Sequence, residues 1–181
     1  LDAIQEIAAK KGIVQNVILR ATPGIDPHTH AKISTGKVDS KFGTAVETGQ
    51  IEALTDHAMK LENIKLCGYH CHIGSQVFDI EPFCDAADIM LDFIAAMKEH
   101  RGLEVSVLNL GGGFGVRYVE SDPMIDYDKN VCEISKHVKS KCAELGLAMP
   151  AILMEPGRSI VADAALTLYT AGSVKTITGY K

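Results

Sequence analysis

Four apolar runs, each closed by glycine, proline or a polar residue, alternate with stretches of helical rhythm, and that alternation limits the chain to very few folds. The runs are "IVQNVILR" (13–20), "IKLCGYHCHIG" (64–74), "LEVSVLNLGGG" (103–113) and "AILMEPGR" (151–158). Between them the apolar residues recur every three or four positions. Leu1, Ile4, Ile7 and Ala8 share a helical face, and Gly12 suits a helix stop. Helices are also predicted over 47–60, over "EPFCDAADIMLDFIAAMKEH" (81–100) and over 126–145. In the second of these Pro82 suits a first turn, and Phe83, Ala87, Met90, Ile94 and Met97 form a core-facing stripe. In the third, Tyr127, Val131, Ile134, Val138, Cys142 and Leu145 do the same.

Strands alternating with helices predict parallel β-α units, with strands buried enough to read as continuous apolar runs. The polar residues gather where the strands end: Arg20, "HCHIGSQ", "GGGFG" and "EPGR". A site built from consecutive strand ends favours a barrel, in which every strand end faces one mouth. Four units are about half of eight, so the expected fold class is α/β, a partial TIM (β/α)8 barrel built on a parallel sheet. With 181 residues, 46% of them hydrophobic, the chain can build one real core. Both ends read as cuts through a larger protein.

Charge and cysteine usage narrow the setting. A net charge of −5 gives no broad electrostatic reason to bind nucleic acid. No apolar run approaches the ~20 residues of a membrane span. Five cysteines, at 67, 71, 84, 132 and 142, form neither a CxxC pair nor a zinc-finger spacing, which points to a reducing cytoplasmic compartment.

The run "GGGFG" fails the dinucleotide fingerprint because Val116 stands where the last glycine is required, and it lacks the Lys-Ser/Thr of a nucleotide-binding P-loop. What remains is a loop whose bare amides could cradle one phosphate, or a tight turn that needs positive φ. In "EPGRS", Glu155 and Arg158 flank a Pro-Gly turn. Arg158 suits a phosphate or a carboxylate; equally, the two residues could pair with each other and fix the turn. His70 and His72, at i and i+2 on a strand, point to one face and with "DPHTH" (26–30) permit a metallohydrolase reading. No acidic residue follows either pair as a metal cage requires, so no metal is expected. Ser75 could supply a phosphate hydroxyl or cap a loop, and Cys71, facing away from the histidines, reads as inert core.

Taken in order, "NVILRATPGIDPHTHAKISTGKVDSKFGT", "GYHCHIGSQ", "LNLGGGFG" and "MEPGRSIVADA" resemble the diaminopimelate decarboxylase family, over nearly the whole chain. "SKFG" together with "HIGSQ" is more similar to that family than to its ornithine and arginine relatives, though those sister decarboxylases, and one acting on carboxynorspermidine, remain the alternatives. The resemblance implies a barrel of the alanine-racemase type, pyridoxal 5'-phosphate as cofactor, an amino-acid substrate, a homodimer, and conversion of meso-diaminopimelate to L-lysine and carbon dioxide.

By the same resemblance, His72 is the histidine against the cofactor ring, and Glu155 the carboxylate paired with the ring nitrogen. Ser75, Gly111, Gly112, Gly113 and Gly157 approach the phosphate, and Arg158 contacts phosphate and substrate carboxylate. Arg20 lies near the ring and Lys41 near the dimer contact. The resemblance also implies a Schiff-base lysine on the first barrel strand; Lys37 and Lys41 stand in the wrong motif for it. On this view residues 1–170 are strands five to eight with their helices, the C-terminal half of the barrel. Residues 171–181 begin the transition to a C-terminal β-domain, and this stretch alone is expected to be inactive.

Overall fold

A computed structural model describes residues 1–25 and 41–179. The elements run α1 (Asp2–Lys11), β1 (Gln15–Thr22), β2 (Thr44–Ala45), α2 (Gln50–Met59), β3 (Ile64–His70), α3 (Glu81–Arg101), β4 (Val107–Asn109), α4 (Tyr127–Glu144), β5 (Ala151–Leu153) and α5 (Gly157–Val161). The five strands form one sheet in the order β2-β1-β3-β4-β5, and every pair is parallel. The α/β class and the parallel sheet are therefore as the sequence predicts. Four of the strands are the four predicted runs, and they lie side by side in chain order. The fifth, β2, is two residues long, too short to leave a periodic signal, and it lies on the outer edge of β1.

Three of the helices begin or end where the sequence says, whereas the short α5 carries no periodic signal to foretell it. Gly12 closes α1 in the left-handed conformation at φ 64°, and Gly102 does the same for α3 at φ 66°. Asp126 caps α4 by accepting the Lys129 amide at 3.0 Å. The α3 stripe is buried as expected: Phe83, Ala87, Met90, Ile94 and Met97 all belong to the core. The α4 stripe is buried only in its second half. Ile134, Val138 and Cys142 are covered, whereas Tyr127 and Val131 remain partly exposed on an apolar cleft of about 600 Å³ beside Ile152, Met154 and Ile160. The face predicted for α1 is likewise mostly open, with Ala8 buried and Ile4 and Ile7 exposed.

Polar pairs tie the helices to one another. Arg101 of α3 bonds Asp56 and Glu52 of α2, holding the Asp56 carboxyl below its usual range chiefly through that hydrogen bond. His137 and Lys141 of α4 reach Asp88 and Asp92 of α3 at 2.7 and 3.0 Å.

The feature that matters most for the strand ends is an irregularity in β3. Val17 pairs with Leu66, but Ile18 pairs with Gly68, so Cys67 is an extra residue in the ladder. Before it, Ile64 and Leu66 face the helices and are buried; after it, Tyr69, Cys71 and Ile73 do so. Tyr69 reaches Thr55 of α2 at 2.8 Å and packs edge-on against Phe93 of α3, which fixes that side as the helix layer. Had the period of two continued unbroken from Leu66, His70 and His72 would lie under the helices. The extra residue turns them to the open face of the sheet.

Gly68 makes the shift possible. A Cβ at this position would lie 1.8 Å from the Val107 carbonyl oxygen. Gly68→Ala is therefore expected to destabilise the fold by about 3 kcal/mol, the scale of core overpacking, which a lowered urea midpoint with unchanged slope would register.

Candidate active site

At the carboxyl ends of β1, β3, β4 and β5 the strand register lines up a polar row. Arg20 pairs with His70, His70 with Asn109, and Asn109 with Leu153, two residues before Glu155. His70 and His72 share the open face, and Cys71 lies opposite, fully buried, where desolvation pushes its thiol up to about 12. The expectation that Cys71 is inert core holds.

Glu155 does not pair with Arg158. Its Oε1 accepts from Asn109 Nδ2 at 2.9 Å, its Oε2 lies 3.7 Å from His70 Nε2, and the side chain is about half exposed. Arg158 instead donates to the Tyr118 hydroxyl at 2.8 Å. The reading of "EPGR" as a self-contained ion pair is thus overturned: the turn sends the two side chains to different neighbours.

The glycine run is crowded by the protein itself. A Cβ at Gly111 would lie 2.5 Å from the Cys71 carbonyl oxygen, one at Gly112 would lie 2.0 Å from that of Glu155, and one at Gly113 would lie 2.0 Å from that of Gly74. Gly111 and Gly113 also have positive φ, 71° and 106°. Two of the three amides are engaged within the chain, Gly111 by Asn109 Oδ1 at 2.8 Å and Gly112 by His72 Nδ1 at 3.2 Å. Each glycine therefore has a packing cause of its own. The Gly113 amide donates to no acceptor among the described residues, and its neighbour Gly74 leads directly into Ser75. Gly157, first residue of α5, has nothing within 4 Å of where a side chain would stand.

Because His72 Nδ1 accepts the Gly112 amide, the ring is neutral with its proton on Nε2. Burial, reinforced by Arg20, lowers its pKa, and burial likewise lowers that of His70. Arg20 lies with its guanidinium 4.9 Å from the Phe42 ring centroid, and the Lys41 ammonium lies 5.0 Å from the same centroid.

Among the described residues no three His, Cys, Asp or Glu side chains converge as metal ligands. His28, His30 and Lys37 lie outside the described residues. Among those described, no helix is long and apolar enough to cross a membrane.

Sequence reasoning overlooked Asn109, which is buried and joins the glycine loop to Glu155. A polar residue inside the apolar run "VLNLG" was the available signal, since a buried amide must be hydrogen-bonded. It also overlooked Gln76, a non-glycine residue at φ 58° whose side chain exchanges two hydrogen bonds with the Val116 backbone.

A parallel α/β sheet with a carboxylate, two neutral histidines and a glycine loop at its strand ends has clear relatives. The sequence profile described as "Pyridoxal-dependent decarboxylase, pyridoxal binding domain" matches residues 1–162, and the chain belongs to that family. Within it, the chain is 46% identical over 180 residues to the diaminopimelate decarboxylase of Halalkalibacterium halodurans, covering 98% of this chain and 40% of that one. It is 41% identical over 178 residues to the same-named protein of Bacillus subtilis, covering 98% and 40%. The crystal structure of diaminopimelate decarboxylase from M. jannaschii with L-lysine superposes with a TM-score of 0.76 at 39% identity, covering 88% of this chain and 36% of that one. The chain thus spans about 40% of the length of the curated relatives it matches.

Burying His70 and His72 in neutral form has a consequence for stability. The unfolded histidines bind protons below about pH 6.5, whereas the folded ones resist until a lower pH, so stability is lost as pH falls from about 6.5. Urea midpoints between pH 7.5 and 5 should fall less steeply for His70→Gln/His72→Gln than for the unsubstituted protein; parallel curves would contradict this.

Proposed function

We propose that the protein carrying these residues is a pyridoxal 5'-phosphate-dependent carboxy-lyase that converts meso-diaminopimelate to L-lysine and carbon dioxide. The observation that carries this reading is Glu155, a half-exposed carboxylate held by Asn109 on the same open face as His70 and His72. The donor set suits the cofactor: an anion for a protonated ring nitrogen, a flat neutral imidazole for a ring face, and an open loop amide for a phosphate. When bound, the cofactor supplies an electron sink for the charge left on the α-carbon as carbon dioxide departs.

The residues then divide the work. Glu155 keeps the proton on the ring nitrogen. His72 covers one ring face, and because its Nδ1 is already occupied by the Gly112 amide its orientation is set before anything binds. The Gly113 amide and the Ser75 hydroxyl donate to the phosphate, and Gly157 leaves room for it. Gly111 and Gly112 shape the loop rather than donate. Arg158 binds the substrate carboxylate, for which its guanidinium must exchange the Tyr118 hydroxyl. Arg20 contributes positive charge beside the ring.

The four consecutive strands correspond in this reading to strands five to eight of a (β/α)8 barrel over residues 1–170, with 171–181 leading toward a β-domain. The Schiff-base lysine comes from outside these residues, and Lys41 lies near a homodimer contact. The setting is the reducing cytoplasm, where five free cysteines are at home.

A substrate panel on the full-length protein tests the assignment. With added cofactor it should release carbon dioxide from diaminopimelate in preference to ornithine, arginine and carboxynorspermidine; the opposite preference transfers the assignment to a sister decarboxylase. Glu155→Ala should lower kcat by at least about 100-fold, the scale of losing a preorganised charge partner.

A further inference from the structure

Among the described residues, His70 Nε2 is the one buried side-chain nitrogen or oxygen without a hydrogen-bond partner. It is a strong donor or acceptor taken out of water and left unused, which costs free energy unless something answers it. The polar atom facing it is Glu155 Oε2 at 3.7 Å. On the other side of the same carboxylate, Asn109 Nδ2 already donates to Oε1 at 2.9 Å.

We propose that His70 and Asn109 form a two-sided clamp on the Glu155 carboxylate, Asn109 on Oε1 and the Nε2–H of His70 on Oε2, making both of them positioning residues. The proposal rests on the role given to Glu155 above, and it assigns the means by which that carboxylate is aimed.

Three features support it. The amide of Asn109 has no freedom to flip, because its Oδ1 accepts the Gly111 amide at 2.8 Å and so its NH2 must point at Glu155. The strand register sets His70 and Asn109 directly opposite each other on β3 and β4, so the two donors approach the carboxylate from adjacent strands. The third is the charge state of His70, on which Glu155, Arg20 and His72 all act: burial and the two cationic or potentially cationic neighbours outweigh the carboxylate and favour the neutral ring. A neutral imidazole gives Glu155 one hydrogen bond without the desolvation cost of a buried ion pair. Oε2 stands roughly 1 Å outside hydrogen-bond range of His70 Nε2, a gap that the half-exposed carboxylate closes by turning about its Oε1 bond to Asn109, without giving that bond up.

The clamp also links two parts of the site. The Gly111 amide, Asn109 and Glu155 form one continuous chain of hydrogen bonds, so a displacement of the glycine loop is felt at the carboxylate.

The test uses the full-length protein loaded with pyridoxal phosphate, comparing His70→Leu, His70→Gln, Asn109→Asp and Glu155→Gln. Far-UV circular dichroism establishes folding, and two quantities are then read: the pH midpoint of the visible absorption change of the bound cofactor, and kcat separately from KM. His70→Leu and Asn109→Asp should each move the midpoint and lower kcat about 10-fold or more, with KM changed less than about 2-fold, as for loss of a supporting hydrogen bond behind a functional ligand. His70→Gln, which keeps a donor near the position of Nε2, should restore most of both. An unmoved midpoint in His70→Leu and Asn109→Asp, alongside a moved one in Glu155→Gln, overturns the clamp and leaves the role of Glu155 standing. An unmoved midpoint in Glu155→Gln overturns that role itself. Loss of fold in His70→Leu leaves the decision to His70→Gln and Asn109→Asp, and a wild-type midpoint in Asn109→Asp then counts against the clamp.

Discussion

Cys67 has no counterpart on β1, and from that residue onward the alternate side chains of β3 exchange faces. The polar row at the strand ends depends on this exchange. It puts Tyr69, Cys71 and Ile73 under the helices, where their apolar surface belongs, and it puts His70 and His72 on the face that Arg20 and Asn109 share. A regular strand would have to bury both imidazoles beneath α2 and α3 and leave a tyrosine and an isoleucine in their place. The bulge is possible because Gly68 lets the backbone of β4 approach to a distance no side chain tolerates.

A second set of close approaches governs the glycine loop. The backbones after β3 and β5 press on Gly111, Gly112 and Gly113 from both sides, and the loop's first two amides are consumed in doing so. The consequence for the site is rigidity: His72 and Asn109 are each held by a loop amide, and Glu155 is held by Asn109. The loop thus acts as a brace for His72, Asn109 and Glu155.

Much of this was readable from the sequence, and the rest was hidden for identifiable reasons. The strands β1, β3, β4 and β5 announced themselves as apolar runs, and α3 announced itself by its stripe, because burial on this scale leaves a periodic trace. The gathering of Arg20, His72, Glu155 and the glycines at strand ends followed from the parallel order alone. The bulge was also written there, as a slip in phase between Leu66 and Tyr69, but a run of apolar residues on both faces masks its own period. The pairing of Glu155 with Asn109 rather than Arg158 was not legible, since three residues of separation say nothing about which way a Pro-Gly turn sends its flanking side chains. The open cleft beside α4 was equally invisible: Val131 reads like Ile134 in the sequence, and only the packing tells them apart.

The crowding of the three glycines bears on how such a site changes over generations. A loop whose every position is fixed by neighbouring backbone has no room to drift, whichever molecule it faces. Residues with open surroundings, such as Arg158 and Tyr118, which meet each other across exposed ground, carry no such restraint. Variation that leaves the fold intact is confined to the loop's surroundings.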